Sequence, residues 1–539
     1  MRDRVMLTVL ILLPLLLPKT GPIEVWWSPP DGCEVPTTVQ SCNDGLMLAE
    51  PIVGTRSLVA LLPDLAAQPG PRYRALSDAL AALLLDGRLS PGSRLPSERD
   101  LARALGVSRA TATAAFDALA VDGLLIRRQG SGSFLTLPAA ARVMGPGSRM
   151  ARAVGAVRPD DVLDLSIASL PAVAGVIPEA VQAVSGSLAR YSMQRGYYPY
   201  GIPELRAVIA ERFTSRGVPT DPAQILVTNG AQHAFDLILQ VGVNPGDRVL
   251  TELPCYPGAL EAIKAHTARH VPVALDESMV EGRWAMPTLA AALRQNSPRL
   301  AYLIPDFHNP TGALADEATR EELAGTARRA GTRLVIDESF VDLDLRDPHG
   351  GVTPLVPMAA FDDQVISLGS LSKSIWGGLR VGWIRADADT VQRLAAARAR
   401  TDMAGAVLEQ LLAWHLFGDL DASLQRRRSA LRHQRDVLLA ELADQLPHWQ
   451  PSRALGGLSC WIELDQPSAT PLSHLLEHRG LLLSPGARFA ADGLLERYLR
   501  LPFALAEDEL RQAVSVIAQA WSELGRTAHA KESRALLTA

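Results

Sequence analysis

Cysteine is scarce in this chain: Cys33, Cys42, Cys255 and Cys460 are scattered over 539 residues, and no two are spaced as C-x-x-C. That excludes a disulfide framework and a cysteine zinc site, leaves no metal site to expect, and points to a reducing compartment, here the cytoplasm. Strong charge of one sign is also missing. Lys and Arg number 53 against 58 Asp and Glu, a net charge of -5. The chain as a whole is therefore not dressed for nucleic acid, although one small basic domain remains compatible with that balance. Long hydrophobic runs are absent as well. The clearest candidate, residues 5–17 behind Arg2 and Arg4, resembles a secretory signal but is shorter than a membrane span and is interrupted by Pro14. Residues 1–56 are expected to be a disordered extension or the product of a start codon placed too far upstream, and no membrane partner is expected.

What is present is the composition of an ordinary globular protein, 47% hydrophobic and 21% charged. Its length suggests about three or four domain-sized units, fewer if one is a large α/β domain. From Arg74 onward, Ala75, Leu76, Ala79, Leu80, Leu83 and Leu84 recur at helical spacing, and Gly87 offers a left-handed stop. Ser97-Glu98-Arg99-Asp100 reads as a cap opening a helix over 98–105, ended by Gly106. Ser108 caps a third helix over 109–121, ended by Gly123. Two short helices so separated make a helix-turn-helix, and strands over 124–128 and 133–137 around Gln129-Gly130-Ser131-Gly132 make a hairpin wing.

Between residues 71 and 136 nine basic residues face six acidic ones, the reverse of the whole chain's balance. Charge alone also fits a small helical domain with a solvated basic face. Helix-turn-helix geometry would bring Ser108, Arg109, Thr111 and Thr113 to the major groove, with Arg99 and the wing residues Gly130 and Gly132 near phosphates. The wording Leu95-Pro96-Ser97-Glu98-Arg99-Asp100-Leu101-Ala102, then Leu105-Gly106-Val107-Ser108-Arg109 and Gly130-Ser131-Gly132-Ser133-Phe134, resembles the GntR family of winged-helix regulators.

The next stretch, residues 138–161, is rich in Ala, Gly, Pro and Arg and is expected to be a flexible linker. After it, apolar runs at 225–227, 248–250, 270–273, 300–304, 333–336, 365–368 and 381–384 alternate with helical segments. Such alternation predicts a mainly parallel sheet covered on both faces, with ligands at the carboxyl ends of its strands. Lys373 stands at such an end, between the run 365–368 and a Gly-rich turn. A lysine there is partly desolvated, which lowers its pKa and suits it to forming a Schiff base with an aldehyde cofactor. Ser370 and Arg380 flank it at spacings that bring a hydroxyl and a guanidinium to a phosphate. Thr228-Asn229-Gly230-Ala231-Gln232 opens a helix after a strand, where the amides of Gly230 and Ala231 cradle phosphate.

Ser370-Leu371-Ser372-Lys373 followed by Gly378-Leu379-Arg380-Val381-Gly382-Trp383 resembles the cofactor-lysine signature of the class I and II aminotransferases, pyridoxal phosphate enzymes of fold type I. The resemblance implies Lys373 as the Schiff-base lysine and Ser370 and Arg380 as phosphate ligands. It implies Tyr256 stacked on the pyridine ring, Asn309 of Asn309-Pro310-Thr311-Gly312 on the phenolic oxygen, and Asp337 paired with the pyridinium nitrogen. It further implies Arg500 of Tyr498-Leu499-Arg500-Leu501-Pro502 on a substrate carboxylate, and Tyr197 or Tyr198 reaching a partner subunit's phosphate. One departure stands out: three residues after Asp337, where these enzymes usually carry a tyrosine, this chain has Phe340. A winged-helix head over 71–137 joined to an aminotransferase-like body over 162–523, with a small carboxyl-terminal α+β subdomain, resembles the MocR-type regulators. The function so implied is a homodimeric regulator binding DNA half-sites and sensing an amine, an amino acid or pyridoxal phosphate itself through Lys373. The alternative is a working aminotransferase with an appended DNA-binding head.

Overall fold

The computed structural model describes residues 54–536 apart from 63, 64, 66, 67, 69, 86–88, 90, 91, 129, 130, 137–161, 276–282, 348–353 and 492–494. The expectations for residues 1–53, the helix stop at Gly87, the wing residue Gly130 and the linker lie outside the described residues.

The head is built on four helices, α1 (Thr55–Leu61), α2 (Arg72–Leu85), α3 (Glu98–Leu105) and α4 (Arg109–Val121), and on the hairpin β1 (Leu125–Arg128) and β2 (Gly132–Leu135). The caps fall where the sequence put them. Ser97 Oγ accepts from the Asp100 amide at the start of α3, Ser108 Oγ accepts from the Thr111 amide at the start of α4, and Gly106 ends α3 in the left-handed region. Leu76, Leu80, Leu101, Phe116 and Leu119 are fully buried together, and each such side chain contributes about 1.5–3 kcal/mol of transfer free energy. Leu58 of α1 joins the same core, so the packed head takes in residues upstream of the expected edge at Pro71.

The body begins with the short strand β3 (Leu163–Asp164) and then forms a seven-stranded sheet from β4 (Ile225–Thr228), β5 (Arg248–Leu253), β6 (Arg269–Ala274), β7 (Leu300–Leu303), β8 (Arg333–Asp337), β9 (Ile366–Ser370) and β10 (Gly382–Arg385). All seven expected strands are present. Their order is β4-β10-β9-β8-β7-β5-β6. Only β10 runs antiparallel to its neighbours, and the rest are parallel. Alternate residues feed two separate cores: Leu334 and Ile336 point to one face and Val335 to the other. Both faces are helix-covered, which is why these strands read as unbroken apolar runs.

Two helices carry functional positions on this sheet, α5 (Ala231–Gly242) after β4 and α6 (Leu371–Ser374) after β9. The smaller domain places β11 (Gln450–Pro451), β12 (Ser459–Glu463), β14 (Ser484–Pro485) and β15 (Tyr498–Pro502) in one sheet of order β11-β12-β15-β14. Its β13 (Leu481–Leu482) pairs in parallel with β3. Helices α7 (Leu420–Gln445) and α8 (Glu507–Leu536) supply Leu431, Leu438, Leu442, Val514 and Ile517 to its core. Among the described residues no helix is long and apolar enough to cross a membrane.

Candidate functional site

At the carboxyl ends of β4 and β9 and the amino end of the antiparallel β10 the chain gathers donors. Gly230 caps α5 with φ +87°, and a Cβ built on it would stand 2.7 Å from Arg380 Nη2, so only glycine leaves that guanidinium its place. Arg380 Nη2 donates to the carbonyl of Asn229 at 2.8 Å. Ser370 Oγ accepts from the Ser372 amide at 3.1 Å and lies 2.9 Å from Ser372 Oγ. The turn is anchored from behind. Asn229 Nδ2 donates to Asp402 Oδ2 at 2.8 Å, and the same carboxylate accepts from Arg398 Nε and Nη2 at 2.7 and 2.9 Å. Burial opposes ionisation of Asp402, but the Arg398 guanidinium outweighs it and holds the carboxyl below its ordinary range.

Next to this cradle, Asp337 ends β8. Its Oδ2 accepts from Tyr302 Oη at 2.6 Å and its Oδ1 from the Ser339 amide at 2.9 Å. Burial, then the neighbouring Asp337 charge, pushes the Tyr302 phenol well above its usual range. Asn309 is buried, and its Oδ1 has no partner. The turn around it is tied down by His308 Nδ1 and Thr311 Oγ1, 2.9 Å apart. Lys373, on α6, donates from Nζ to the carbonyl of Ala168 at 2.8 Å. Burial, helped by the charges of Arg500 and Arg380 and opposed by Asp337, lowers its pKa to about 8. The Phe340 ring centroid lies 6.0 Å from Nζ.

Arg500, on β15, is buried at 6% exposure, donates from Nη2 to the carbonyl of Ser166 at 2.6 Å, and has no partner for Nε. Burial, then the charge of Arg488, lowers its pKa to about 9. Ser484 Oγ donates to the same Ser166 carbonyl at 2.9 Å. The segment after β3 thus receives hydrogen bonds from the amine on the large domain and from the guanidinium on the small one.

One cavity of about 500 Å³ is lined by Lys373, Asp337, Asn309, Tyr256, Ala231, Ser370, Arg380 and Arg500. Gly230 borders it through the Arg380 contact. Tyr197 is exposed and Tyr198 donates to Gln194 Oε1, and neither lines this cavity. Sequence reasoning missed Tyr302, Trp376 and the segment Ser166 to Ser169, all of which line it. Trp376 lies within the lysine signature without being assigned a role, and no local motif marks the others. The strand-end rule alone would have found Tyr302, which stands on β7.

In the head, Arg99 and Arg109 are exposed at the starts of α3 and α4. Ser108 Oγ and Thr111 Oγ1 lie 2.8 Å apart and share the cap of α4. The Thr113 hydroxyl donates to Glu98 Oε2 on α3 at 2.7 Å. Gly132 has φ +111°, and a Cβ there would meet Arg94 Nε at 3.0 Å.

The donor set fits pyridoxal phosphate. The Gly230–Arg380 cradle and the hydroxyls of Ser370 and Ser372 suit a phosphate, the Asp337 carboxylate suits a ring nitrogen, and the side-chain amide of Asn309, on the lining of the same cavity, has an N–H group to donate to a ring oxygen. The family profile described as aminotransferase class I and II matches residues 160–517. The profile for bacterial regulatory proteins of the gntR family matches residues 72–135. The uncharacterized HTH-type transcriptional regulator YisV of Bacillus subtilis is 27% identical over 466 residues, covering 81% of this chain and 93% of YisV. The 2-aminoadipate transaminase of Thermus thermophilus is 32% identical over 324 residues, covering 59% of this chain and 78% of that protein. The crystal structure of LysN, the alpha-aminoadipate aminotransferase of the same organism, complexed with N-(5'-phosphopyridoxyl)-L-leucine, is 28% identical. It overlays with a TM-score of 0.62, covering 70% of this chain and 98% of that one.

Proposed function

The chain belongs to the class I and II aminotransferase family and joins that body to a gntR-family helix-turn-helix head, and from that premise we propose that it is a transcriptional regulator whose body senses an amine or amino acid. Bound pyridoxal phosphate supplies an aldehyde that condenses with primary amines and a ring that draws electrons from them. Lys373 is the residue that takes it, with Asp337, Asn309 and Tyr256 around the ring and Arg380, Ser370 and the first amides of α5 around the phosphate. Arg500 offers the ligand's carboxylate a bidentate partner in a desolvated site.

The observation that carries this reading is that Lys373 and Arg500 share one cavity and donate to carbonyls of one segment, Ala168 and Ser166. That segment follows residues 138–161, which join it to the DNA-binding head in the chain. A ligand that competes for either donor acts on the segment and, through it, on the head. As part of the same proposal the protein works in the cytoplasm as a homodimer, whose two heads engage two operator half-sites with a gain in effective concentration.

A second reading, a working aminotransferase, draws on the near-neutral pKa of Lys373 and the intact Asp337, Asn309 and Arg500. The visible absorption of the protein with pyridoxal phosphate, followed as amines and amino acids are added, separates the two. A lasting band shift accompanied by altered DNA binding is the outcome for a sensor. Conversion to the aminated cofactor, reversed by a keto acid, is the outcome for an enzyme.

A further inference from the structure

A ring of four side chains crosses three elements of the head. Glu98 opens α3 with its side chain 21% exposed, and each of its oxygens is taken by a different element. Oε2 accepts from Thr113 Oγ1 on α4 at 2.7 Å, and Oε1 accepts from Arg127 Nη2 on β1 at 3.2 Å. Arg127 Nη1 then donates to Asp117 Oδ1 on α4 at 2.7 Å. Thr113 and Asp117 are one turn apart on the same face of α4, so the ring closes. We propose that Glu98, Thr113, Asp117 and Arg127 form a brace that sets the wing against the DNA-reading helix, with Arg127 a positioning residue and not a phosphate contact; the inference rests on the DNA-binding reading above.

The charge and the register argue for this assignment. Arg127 has two carboxylates on its fork, so a phosphate approaching it must displace one of them and then sit beside both negative charges. Its partner across the hairpin is Ser133, and its neighbour Arg128 is engaged elsewhere, its guanidinium lying 4.6 Å from the centroid of the Phe134 ring. The Arg128 carbonyl accepts from the Ser131 amide at 3.0 Å, and Arg128 pairs with Gly132 across the hairpin. Fixing Arg127 to both helices therefore fixes where this end of the hairpin lies. Any one of these pairs alone, half exposed, would be worth little. The closed ring couples them, and coupled neighbours are not additive. Thr113, at the end of α4 expected to read bases, has its hydroxyl committed to Glu98, which leaves Ser108, Arg109 and Ala110 as the exposed residues at the head of that helix.

The test uses the full chain and two DNA probes, a duplex selected by the wild-type protein from a random-sequence library and an unselected duplex of equal length. Affinity is measured across a series of salt concentrations for R127A, for R127K, which keeps the charge but loses the fork, and for T113V, which removes a hydroxyl without changing charge. The expected result is that all three weaken the selected duplex about tenfold, leave the unselected duplex almost unchanged, and keep the wild-type slope of log affinity against log salt. A phosphate contact gives a different pattern: R127A lowers the slope by about one, both duplexes weaken alike, and R127K binds as wild type. That pattern, or wild-type binding by all three variants, overturns the brace. Should R127A fail to fold, T113V carries the test alone. A wild-type protein that binds neither duplex removes the DNA-binding reading and the brace with it.

Discussion

Tyr302 donates its hydroxyl to Asp337 Oδ2 at 2.6 Å, so the carboxylate at the end of β8 is held by a phenol from the adjacent strand before any ligand arrives. Both residues are buried, and their strands pair in parallel. In Y302F that oxygen loses its donor in a desolvated place. The unfolding free energy is expected to fall by about 1–3 kcal/mol, and pyridoxal phosphate should bind more weakly, because a less well-held carboxylate pairs less well with a ring nitrogen. Denaturant melts with and without the cofactor measure both. A variant equal to wild type in both would mean that the bond does nothing for the site.

The lowered pKa of Lys373, about 8, sets a pH dependence. At pH 7 roughly one such lysine in ten is neutral, against fewer than about one in a thousand for an ordinary lysine. The rate of cofactor capture should therefore rise with pH and level off above about 8. Burial is the main cause, so substitutions that change only the charges move the midpoint modestly: R500Q upward, by removing a cation, and D337N downward, by removing an anion. Stability follows the same sign. The unfolded lysine binds more protons than the folded one between about 8 and its ordinary range, so the unfolding free energy should increase with pH across that window. K373A should lose the visible band and, after borohydride reduction, carry no covalent cofactor by mass spectrometry.

The seven body strands were legible because both faces of the sheet are buried, which writes them as continuous apolar runs. The candidate-site residues were legible because they sit in short motifs, most of them beside a strand end. What the sequence hid are contacts made over long separations. The bond from Arg500 to Ser166 joins residues 334 apart, and the segment that receives it, Ser-Ile-Ala-Ser, carries no local signal. The partner of Thr113 was hidden for the same kind of reason. Its position near the start of α4 is a local fact, but the carboxylate that accepts from its hydroxyl lies 15 residues away on another helix. The two-residue strands β3, β11, β13 and β14 are too short for a period-two pattern to declare itself.

The cradle turn depends on a residue well outside any motif. Asp402 holds both the Asn229 side chain and the buried Arg398. D402N removes the counter-charge of a guanidinium that has no access to water, and should cost about 3 kcal/mol, the lower end for stripping a partner from a buried cation. Because the folded pKa of Asp402 lies below the unfolded one, its contribution is present at neutral pH and is lost as pH falls through the folded value. Wild type should therefore lose stability on acidification more steeply than D402N. The cofactor should also bind less tightly to the variant, since the Asn229-Gly230 turn loses its anchor. Parallel acid titrations of the two proteins check the sign.

Phe340 bears on whether the body turns over or only senses. Its ring is buried, and its centroid lies 6.0 Å from Lys373 Nζ, close enough for its edge to bound the space around the amine but without a hydroxyl to offer. In F340Y the added phenol places one more donor in that space. A donor there favours the deprotonated form of a neighbouring nitrogen, so the pH midpoint of the visible cofactor band should move down by about one unit, and exchange with added amino acids should quicken. An absorbance titration reads the first and stopped-flow mixing the second. If the midpoint stays put, the hydroxyl does not reach the nitrogen. If it moves and keto-acid-dependent turnover appears with it, then a single missing oxygen is what keeps this aminotransferase body in the role of a receptor, because Lys373, Asp337, Asn309 and Arg500 already line one cavity.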